Sequence, residues 1–143
     1  MKSSMNGKIF IDTNVLIYAH DLDAGKKHTT AVKIIKDIWE SKNGVISTQV
    51  LQEFYVRVTS KIPLPLSLAS AREIVKDFLK WKPIIIDGES ILKAIEIQSH
   101  YRYSFWDSLI LSAAQAGGAS LLYSEDFQHG QIIAGVRIIN PFK

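Results

Sequence analysis

Short apolar runs alternate along this chain with longer stretches in which apolar residues recur every three or four positions. The runs predict buried strands, and the 3.6-residue period predicts amphipathic helices. We predict strands at Ile9–Ile11, Val45–Ser47, Pro83–Gly88, Ala119–Tyr123 and Val136–Ile139. We predict helices over residues 13–20, 27–42, 49–60, 67–80, 89–101 and 106–116. Strands that alternate with helices indicate an α/β fold, with a parallel sheet of about five strands flanked by helices on both faces.

The composition limits the class of protein without naming a function. The chain has 143 residues and no repeat or linker that would divide it, so we expect a single domain, 1–143. It contains no cysteine, which excludes disulfides and thiolate metal ligands and fits a reducing cytoplasm. The first seven residues lack the apolar core of a signal peptide, and no apolar run is long enough to cross a bilayer. We therefore expect a cytoplasmic protein without a membrane partner.

The charge balance depends on where the carboxylates lie. The formal net charge is +3, from 17 Lys and Arg against 14 Asp and Glu. If four carboxylates gather at one site, the remaining 17 cations and 10 carboxylates leave +7 elsewhere. Such a surface favours a polyanionic partner, although a merely soluble basic surface is the commoner meaning of such charges.

The first predicted strand ends abruptly on Asp12, and Thr13 and Asn14 separate it from a new apolar run. Asp12 is therefore expected where a strand ends and a helix begins, which is the edge of an open α/β sheet at which ligands bind. The simpler interpretation is that Asp12 or Thr13 only caps the helix that follows.

Asp107 is the most informative single carboxylate. Positions 107, 110, 111 and 114 share one face of the sixth predicted helix, and the other three are apolar, which places Asp107 on a buried stripe. A lone carboxylate there costs several kcal/mol unless something compensates for it. The alternative is that Asp107 stabilises the first turn of its helix through the helix dipole.

Three further carboxylates are weighed as members of the same site. Asp126 follows the strand Ala119–Tyr123, as Asp12 follows its own strand, although Asp before a glycine is also common in turns. Glu53 lies in the third helix, where an ion pair with Arg57 is the alternative. Asp87 also ends an apolar run, but it precedes Gly88 as a turn residue would, so we exclude it from the site.

Four motifs together resemble a known family. They are Ile11-Asp12-Thr13-Asn14, Gln52-Glu53-Phe54, the segment Phe105–Ile110 that contains Asp107, and Ser124–Gly130 that contains Asp126. In this order they resemble the PIN domain, and within it the VapC toxins of bacterial and archaeal toxin–antitoxin pairs. The resemblance covers essentially the whole chain, and it implies a PIN-like fold in which the first and fourth predicted strands are neighbours.

The resemblance also implies an active site. Asp12, Glu53, Asp107 and Asp126 occupy the acidic positions, and Asn14 and Ser124 occupy polar supporting positions. An all-oxygen donor set suits Mg²⁺, for which Mn²⁺ can substitute. Asp12 and Asp107 are expected as direct ligands, Asp126 as a ligand directly, through water or of a second ion, and Glu53 as a ligand or as the group that orients a water.

The activity implied is hydrolysis of RNA by a metal-dependent endoribonuclease that acts as a toxin, with a cognate antitoxin and a homodimeric assembly as partners. A catalytically silent module of the same fold, which binds Mg²⁺ and serves RNA binding or signalling, is the alternative. An aspartyl phosphotransferase is disfavoured, because Asn14 stands where its second Asp is needed.

Two sets of side chains are candidates for contact with nucleic acid. The basic set is Lys26, Lys27, Lys33, Arg57, Arg72 and Arg102, for each of which a solvated surface charge is the commoner role. The aromatic set is Tyr101, Tyr103, Phe105 and Trp106, which have the chemistry to stack a base. For Phe105 and Trp106 we expect core packing instead.

Overall fold

A five-stranded sheet organises the protein, in a computed structural model that describes residues 7–143. The strands are β1 (Lys8–Ile11), β2 (Gly44–Val45), β3 (Ala119–Tyr123), β4 (Ile132–Ile133) and β5 (Val136–Ile139). The helices are α1 (Thr13–Tyr18), α2 (Lys26–Ser41), α3 (Thr48–Ser60), α4 (Leu68–Phe78), α5 (Gly88–Tyr101) and α6 (Phe105–Ala116), with a 3₁₀ turn at Leu79–Trp81. The prediction that the first seven residues contain no signal peptide is not tested, because residues 1–6 lie outside the residues that the structure describes.

The strand order is β2-β1-β3-β5-β4, with every pair parallel except β4 with β5. The predicted α/β class with a mostly parallel sheet is therefore confirmed. So is the adjacency of the first and fourth predicted strands, now β1 and β3, in which Ile11 faces Tyr123. Both strands end at the same edge, and Asp12 follows one while Ser124 follows the other.

Both faces of the sheet are covered. Phe10 and Ile11 are consecutive in β1, so their side chains point to opposite faces, and neither is exposed to solvent. On one side α1 packs against both α2 and α3, and α3 packs against α4. On the other side α5 packs against α6, and α6 packs on β3 and β5. The buried apolar residues form one cluster that extends from Phe10 to Ile138.

The helix bounds follow signals visible in the sequence. Each predicted helix is present, with ends within about two residues of those expected. Ser47, Ser67 and Ser104 cap α3, α4 and α6 by accepting a hydrogen bond from a backbone N–H of the first turn. Among residues 7–143, no helix combines the length and the apolar content that a membrane span requires.

The third predicted strand, Pro83–Gly88, is wrong. In the described chain only Ile84 reaches the sheet region, through a single bridge to Ser47, and Ile85 is 72% exposed. The segment instead connects the 3₁₀ turn to α5, with Asp87 as the helix cap. The predicted strand Val45–Ser47 is also shifted, because only Gly44 and Val45 pair with β1.

The remaining strand was missed by the sequence pattern. β4 is two residues long, and it joins β5 through Ala134 and Gly135, whose φ angles are 52° and 82°. Two consecutive positive φ angles are typical of the tight hairpin turn whose twist matches that of its strands. Ala134 is an unusual residue at the first of these positions, so the turn has no sequence signature.

Candidate active site

Asp12 is held at the boundary between β1 and α1. Its backbone N–H donates to the carbonyl of Tyr123 at 3.1 Å, which ties it to the end of the neighbouring strand β3. Its Oδ1 accepts from the Thr13 N–H at 2.7 Å, so Asp12 is the cap of α1. Its Oδ2 accepts from Ser124 Oγ, also at 2.7 Å. With only 4% of its surface exposed, this carboxylate has little freedom to move.

Ser124 and Asn14 connect Asp12 to Asp126. Asn14 Nδ2 donates to Asp126 Oδ2 at 2.9 Å and lies 3.4 Å from Ser124 Oγ. The N–H of Asp126 donates to the same hydroxyl at 3.1 Å. Ser124 is fully buried, whereas Asp126 itself is exposed. The two residues expected to be supporting therefore lie between the two carboxylates that follow β1 and β3.

Glu53 reaches the same place from α3. Its Oε1 accepts from Thr13 Oγ1 at 2.6 Å, and its Oε2 accepts from Gln49 Nε2 at 3.3 Å. The alternative ion pair with Arg57 is absent among residues 7–143. Arg57 instead lines the pocket described below.

Asp107 lies in the first turn of α6, and its backbone N–H donates to the capping Ser104 Oγ at 3.1 Å. The apolar stripe of this helix is buried as expected, with Ile110 and Leu111 at most 3% exposed. Asp107 itself is only half-buried, so its predicted place inside the stripe is wrong. The first turn of α6 extends past the core to the mouth of a pocket, where the carboxylate meets solvent.

One pocket collects these side chains from four separate parts of the chain. It has a volume of about 460 Å³, in the range of ligand pockets. Its lining residues are Asp12, Thr13, Asn14, Gln49, Gln52, Glu53, Val56, Arg57, Trp106, Asp107, Ile110 and Asp126. All four predicted carboxylates are therefore together. Asp87 is not among them: it is exposed and caps α5 through a reciprocal pair of hydrogen bonds with Ser90.

The electrostatics of the pocket oppose ionisation. Burial raises the pKa of Asp12 from 3.8 to about 7, with smaller contributions in the same direction from Asp126 and Glu53. Hydrogen bonds from Ser124 and Thr13 offset part of this rise in pKa. Burial also raises the pKa of Asp107, again helped by Asp126 and Glu53. Negative charge in the pocket is therefore incompletely compensated by the protein itself.

Two buried amide oxygens in the pocket also lack a protein partner. Asn14 Oδ1 and Gln49 Oε1 accept no hydrogen bond from any described residue, although each side chain is at most 7% exposed. A buried acceptor without a partner costs free energy unless water or a ligand supplies a donor or a cation. These oxygens, like the carboxylates, suit a hard cation or its hydration shell.

Sequence reasoning missed Gln49 and misjudged Trp106. Gln49 lies one helical turn before Glu53, and that spacing was its only available signal. Its Nε2 also lies 3.2 Å from the carbonyl oxygen of Trp106, so it links α3 to the start of α6. Trp106, expected in the core, is 64% exposed. It shares a helical face with the buried Leu109, but the first turn of α6 carries it beyond the core.

The predicted cationic residues separate into different surroundings. Lys27 pairs with Glu125 at 2.9 Å, Lys33 with Asp37 at 3.0 Å, and Arg72 with Glu73 at 3.2 Å. Arg57 is the one of the candidate set that lines the pocket within the described residues.

Comparison with solved structures agrees with the fold described above. The crystal structure of VapC20 from Mycobacterium tuberculosis, described as a toxin that cleaves the sarcin–ricin loop, matches with a TM-score of 0.60 and 19% identity, over 83% of this chain and 90% of that one. VapBC2 from Rickettsia felis, bound to a DNA fragment from its promoter, matches with a TM-score of 0.60 and 19% identity, over 91% of this chain and 96% of that one. At identities this low, the two matches show a shared fold and nothing beyond it. No curated protein matches the chain.

A model of one protein family matches most of the sequence. It is described as the PIN domain, and it covers residues 9–132, from β1 to the start of β4. That range contains all four carboxylates of the pocket as well as Asn14 and Ser124. The chain therefore belongs to the PIN-domain family.

Proposed function

We propose that this protein is a metal-dependent endoribonuclease that hydrolyses phosphodiester bonds of RNA, and that it is the toxin of a type II toxin–antitoxin pair. One observation carries the proposal. Four carboxylates from separate parts of the chain line a single pocket, and the most buried of them, Asp12, has its pKa raised to about 7. A pocket in a PIN domain whose negative charge the protein does not fully compensate is suited to bind a cation beside a phosphate.

The residues fit the proposed Mg²⁺ or Mn²⁺. As placed, no group of three carboxylate or imidazole side chains in residues 7–143 converges on one point. The fit rests on the donors instead, which are all oxygens: Asp12, Asp107 and Asp126 as ligands, with the unpartnered oxygens of Asn14 and Gln49 nearby. A bound divalent ion would lower the pKa of a water and stabilise negative charge on the phosphate.

The chain's own residues then supply position and charge. Asp12 is fixed by two hydrogen bonds of 2.7 Å. Glu53, held by the Thr13 hydroxyl, is aimed into the pocket as the group that accepts a proton from the attacking water or orients it. Arg57 offers a cation to the scissile phosphate or a neighbouring one. Positioning and electrostatics of this kind suffice for phosphoryl transfer without a protein nucleophile.

The partner proposed is an antitoxin with a short amphipathic and acidic segment. An apolar groove of about 490 Å³ runs between α3 and α4, lined by residues that include Leu51, Tyr55, Leu68 and Val75. Gln52 lines both this groove and the acidic pocket, and Arg72 adds a positive charge. A segment laid here would extend to the active site. We also propose that the protein forms a homodimer and is located in the cytoplasm.

The deciding experiment is a cleavage assay on purified protein. Structured RNAs and a circular RNA, which has no end for an exonuclease, are incubated with Mg²⁺, Mn²⁺ or EDTA. We expect cleavage of both RNAs with either ion and none with EDTA. Asp12→Asn should be inactive, and Asp87→Asn is the matched control, since Asp87 also follows an apolar run but caps a helix outside the pocket. Full activity after chelation would overturn the metal requirement.

The silent module gives a different result. In that case Mg²⁺ would raise the melting temperature of the wild type and not of Asp12→Asn, while no RNA is cut. The toxin role is tested by expression in a bacterial host, where growth should stop with the wild type and with Asp87→Asn but continue with Asp12→Asn. Equal growth arrest by all three proteins would remove catalysis as its cause.

A further inference from the structure

Gln49 makes the one hydrogen bond that joins α3 to α6 within residues 7–143. Its Nε2 lies 3.3 Å from Glu53 Oε2, one turn along α3, and 3.2 Å from the carbonyl oxygen of Trp106 in the first turn of α6. The side chain is 6% exposed, so it has little freedom to leave this position. The amide therefore connects two elements that carry different carboxylates of the pocket, Glu53 on α3 and Asp107 directly after Trp106.

Both partners of this amide are hydrogen-bond acceptors. An ionised carboxylate and a backbone carbonyl have no proton to donate, so the nitrogen of Gln49 faces them and its oxygen faces away. That oxygen, Oε1, accepts no hydrogen bond from residues 7–143, although the side chain lines the pocket. A buried acceptor without a partner costs free energy, so packing alone does not explain an amide here.

The amide bridge opposes a repulsion between the same two elements. Burial raises the pKa of Asp107, and the charges of Asp126 and Glu53 raise it further, so these carboxylates are close enough to repel one another. The only other hydrogen bond to Glu53 from the described residues comes from Thr13. Without a neutral donor between them, α3 and the first turn of α6 would separate more easily before a cation binds.

We propose that Gln49 is a positioning residue that holds Glu53 and Asp107 in place for a divalent ion, with its free oxygen open to a water of the ion's hydration shell. This inference rests on the proposed function and deepens it by naming a residue that acts through two of the carboxylates. In this role Gln49 contacts the carboxylates and not the RNA, so its loss should lower kcat far more than it raises KM.

The test measures metal binding in the absence of RNA. Mn²⁺ is titrated into the full chain by calorimetry, for the wild type and for Gln49→Met, which keeps the length of the side chain but has no donor. We expect the Mn²⁺ affinity to fall about 10- to 100-fold, as it does when the partners of metal ligands are removed. The control is Gln115→Met, a half-buried glutamine of α6 outside the pocket, which should leave the affinity unchanged.

Two further measurements separate positioning from other roles of Gln49. Gln49→Glu keeps an oxygen at this position but loses the donor, so it should cleave RNA no faster than Gln49→Met. Wild-type Mn²⁺ affinity and kcat in Gln49→Glu would make residue 49 an oxygen ligand only and overturn the bridge. Urea unfolding in EDTA should show Gln49→Met about as stable as wild type, because it loses two long hydrogen bonds together with an unpartnered buried oxygen.

The possible outcomes distinguish this proposal from the one before it. Gln49→Met with unchanged Mn²⁺ affinity and kcat would overturn the positioning role and leave the nuclease intact, and a loss of stability in that same variant would assign Gln49 to the fold. Mn²⁺ binding that depends on Gln49, in a protein that cuts no RNA, would retain the positioning role and overturn hydrolysis. A wild type that binds no Mn²⁺ would overturn both.

Discussion

The raised pKa of Asp12 predicts how the stability of the metal-free protein depends on pH. We consider Asp12→Asn, which keeps the shape of the side chain and an oxygen that accepts the Thr13 N–H, since Asn caps helices as well as Asp does. The Ser124 hydroxyl, which donates to Asp12 Oδ2 and accepts from the Asp126 N–H, would have to accept from the new amide as well. The substitution therefore removes a buried charge at the cost of reversing one hydrogen bond, and that cost does not depend on pH.

The sign and size follow from linkage. The folded pKa of Asp12, about 7, is higher than the unfolded value of 3.8, so the native state retains its proton over a range in which the unfolded state has lost it. The contribution of Asp12 to the free energy of unfolding is therefore highest below about pH 4 and falls as pH rises to about 7. At about 1.4 kcal/mol per pKa unit, the full loss is roughly 4 kcal/mol, more than half of it between pH 5 and pH 8. The free energy of unfolding of Asp12→Asn should not show this loss, because the variant has no carboxyl group at position 12 to ionise.

The assay is urea unfolding in EDTA at several pH values from 5 to 8, for wild type and variant. The quantity of interest is the difference in free energy of unfolding between the two proteins, which should grow with pH in favour of Asp12→Asn. Burial lowers the pKa of His20, which acts in the opposite direction, but this effect is common to both proteins and cancels. Asp87→Asn should keep the wild-type slope. Parallel curves for wild type and Asp12→Asn would refute the reasoning.

Two further predictions concern other parts of the site and the core. Asp107→Asn should abolish RNA cleavage. It should leave the metal-free protein at least as stable as wild type at pH 7.5, because the pKa of Asp107 is also raised. If the variant is instead active and destabilised by up to about 1 kcal/mol, Asp107 serves the helix dipole. Gly44→Ala should cost about 1–3 kcal/mol in urea unfolding, because its methyl group would lie 2.3 Å from Trp81 Cζ3, whereas Gly88→Ala, with open space around it, should cost nothing measurable.

The parts of the fold that the sequence predicts are those where periodicity and capping agree. Five of the six helices in residues 7–143 have a side-chain cap, the exception being α2, which Gly25 precedes without one, and the bounds of all six were predicted closely. The apolar run Ile84–Ile86 lacks a second signal that would support its pattern. Its three consecutive isoleucines resemble a buried strand, but the segment makes only one β-bridge, between Ile84 and Ser47. β4 was missed because a two-residue strand is too short to show alternation.

For the candidate site, sequence reasoning identified the carboxylates better than their surroundings. Asp12 and Asp126 follow apolar strands, and this local signal identified them together with the motifs that resemble the PIN domain, since Asp87 also follows an apolar run. The degree of burial of Asp107 and Trp106 depends on how far the first turn of α6 projects beyond the core, which helical periodicity does not encode. Gln49 bridges two helices that are distant in sequence, so its role follows only from their packing.

The pairing of β1 with β3 also sets the order in which the pocket is completed during synthesis. β1 is made before β3, the strand that accepts the hydrogen bond from the Asp12 N–H and that Ser124 and Asp126 follow; β3 comes more than a hundred residues later. A nascent chain that ends after α5 has Asp12 and Glu53 but neither β3 nor Asp126. Since long-range pairing of this kind forms late and slowly, a ribosome making this protein would carry an incomplete pocket until the residues that follow β3 have been added.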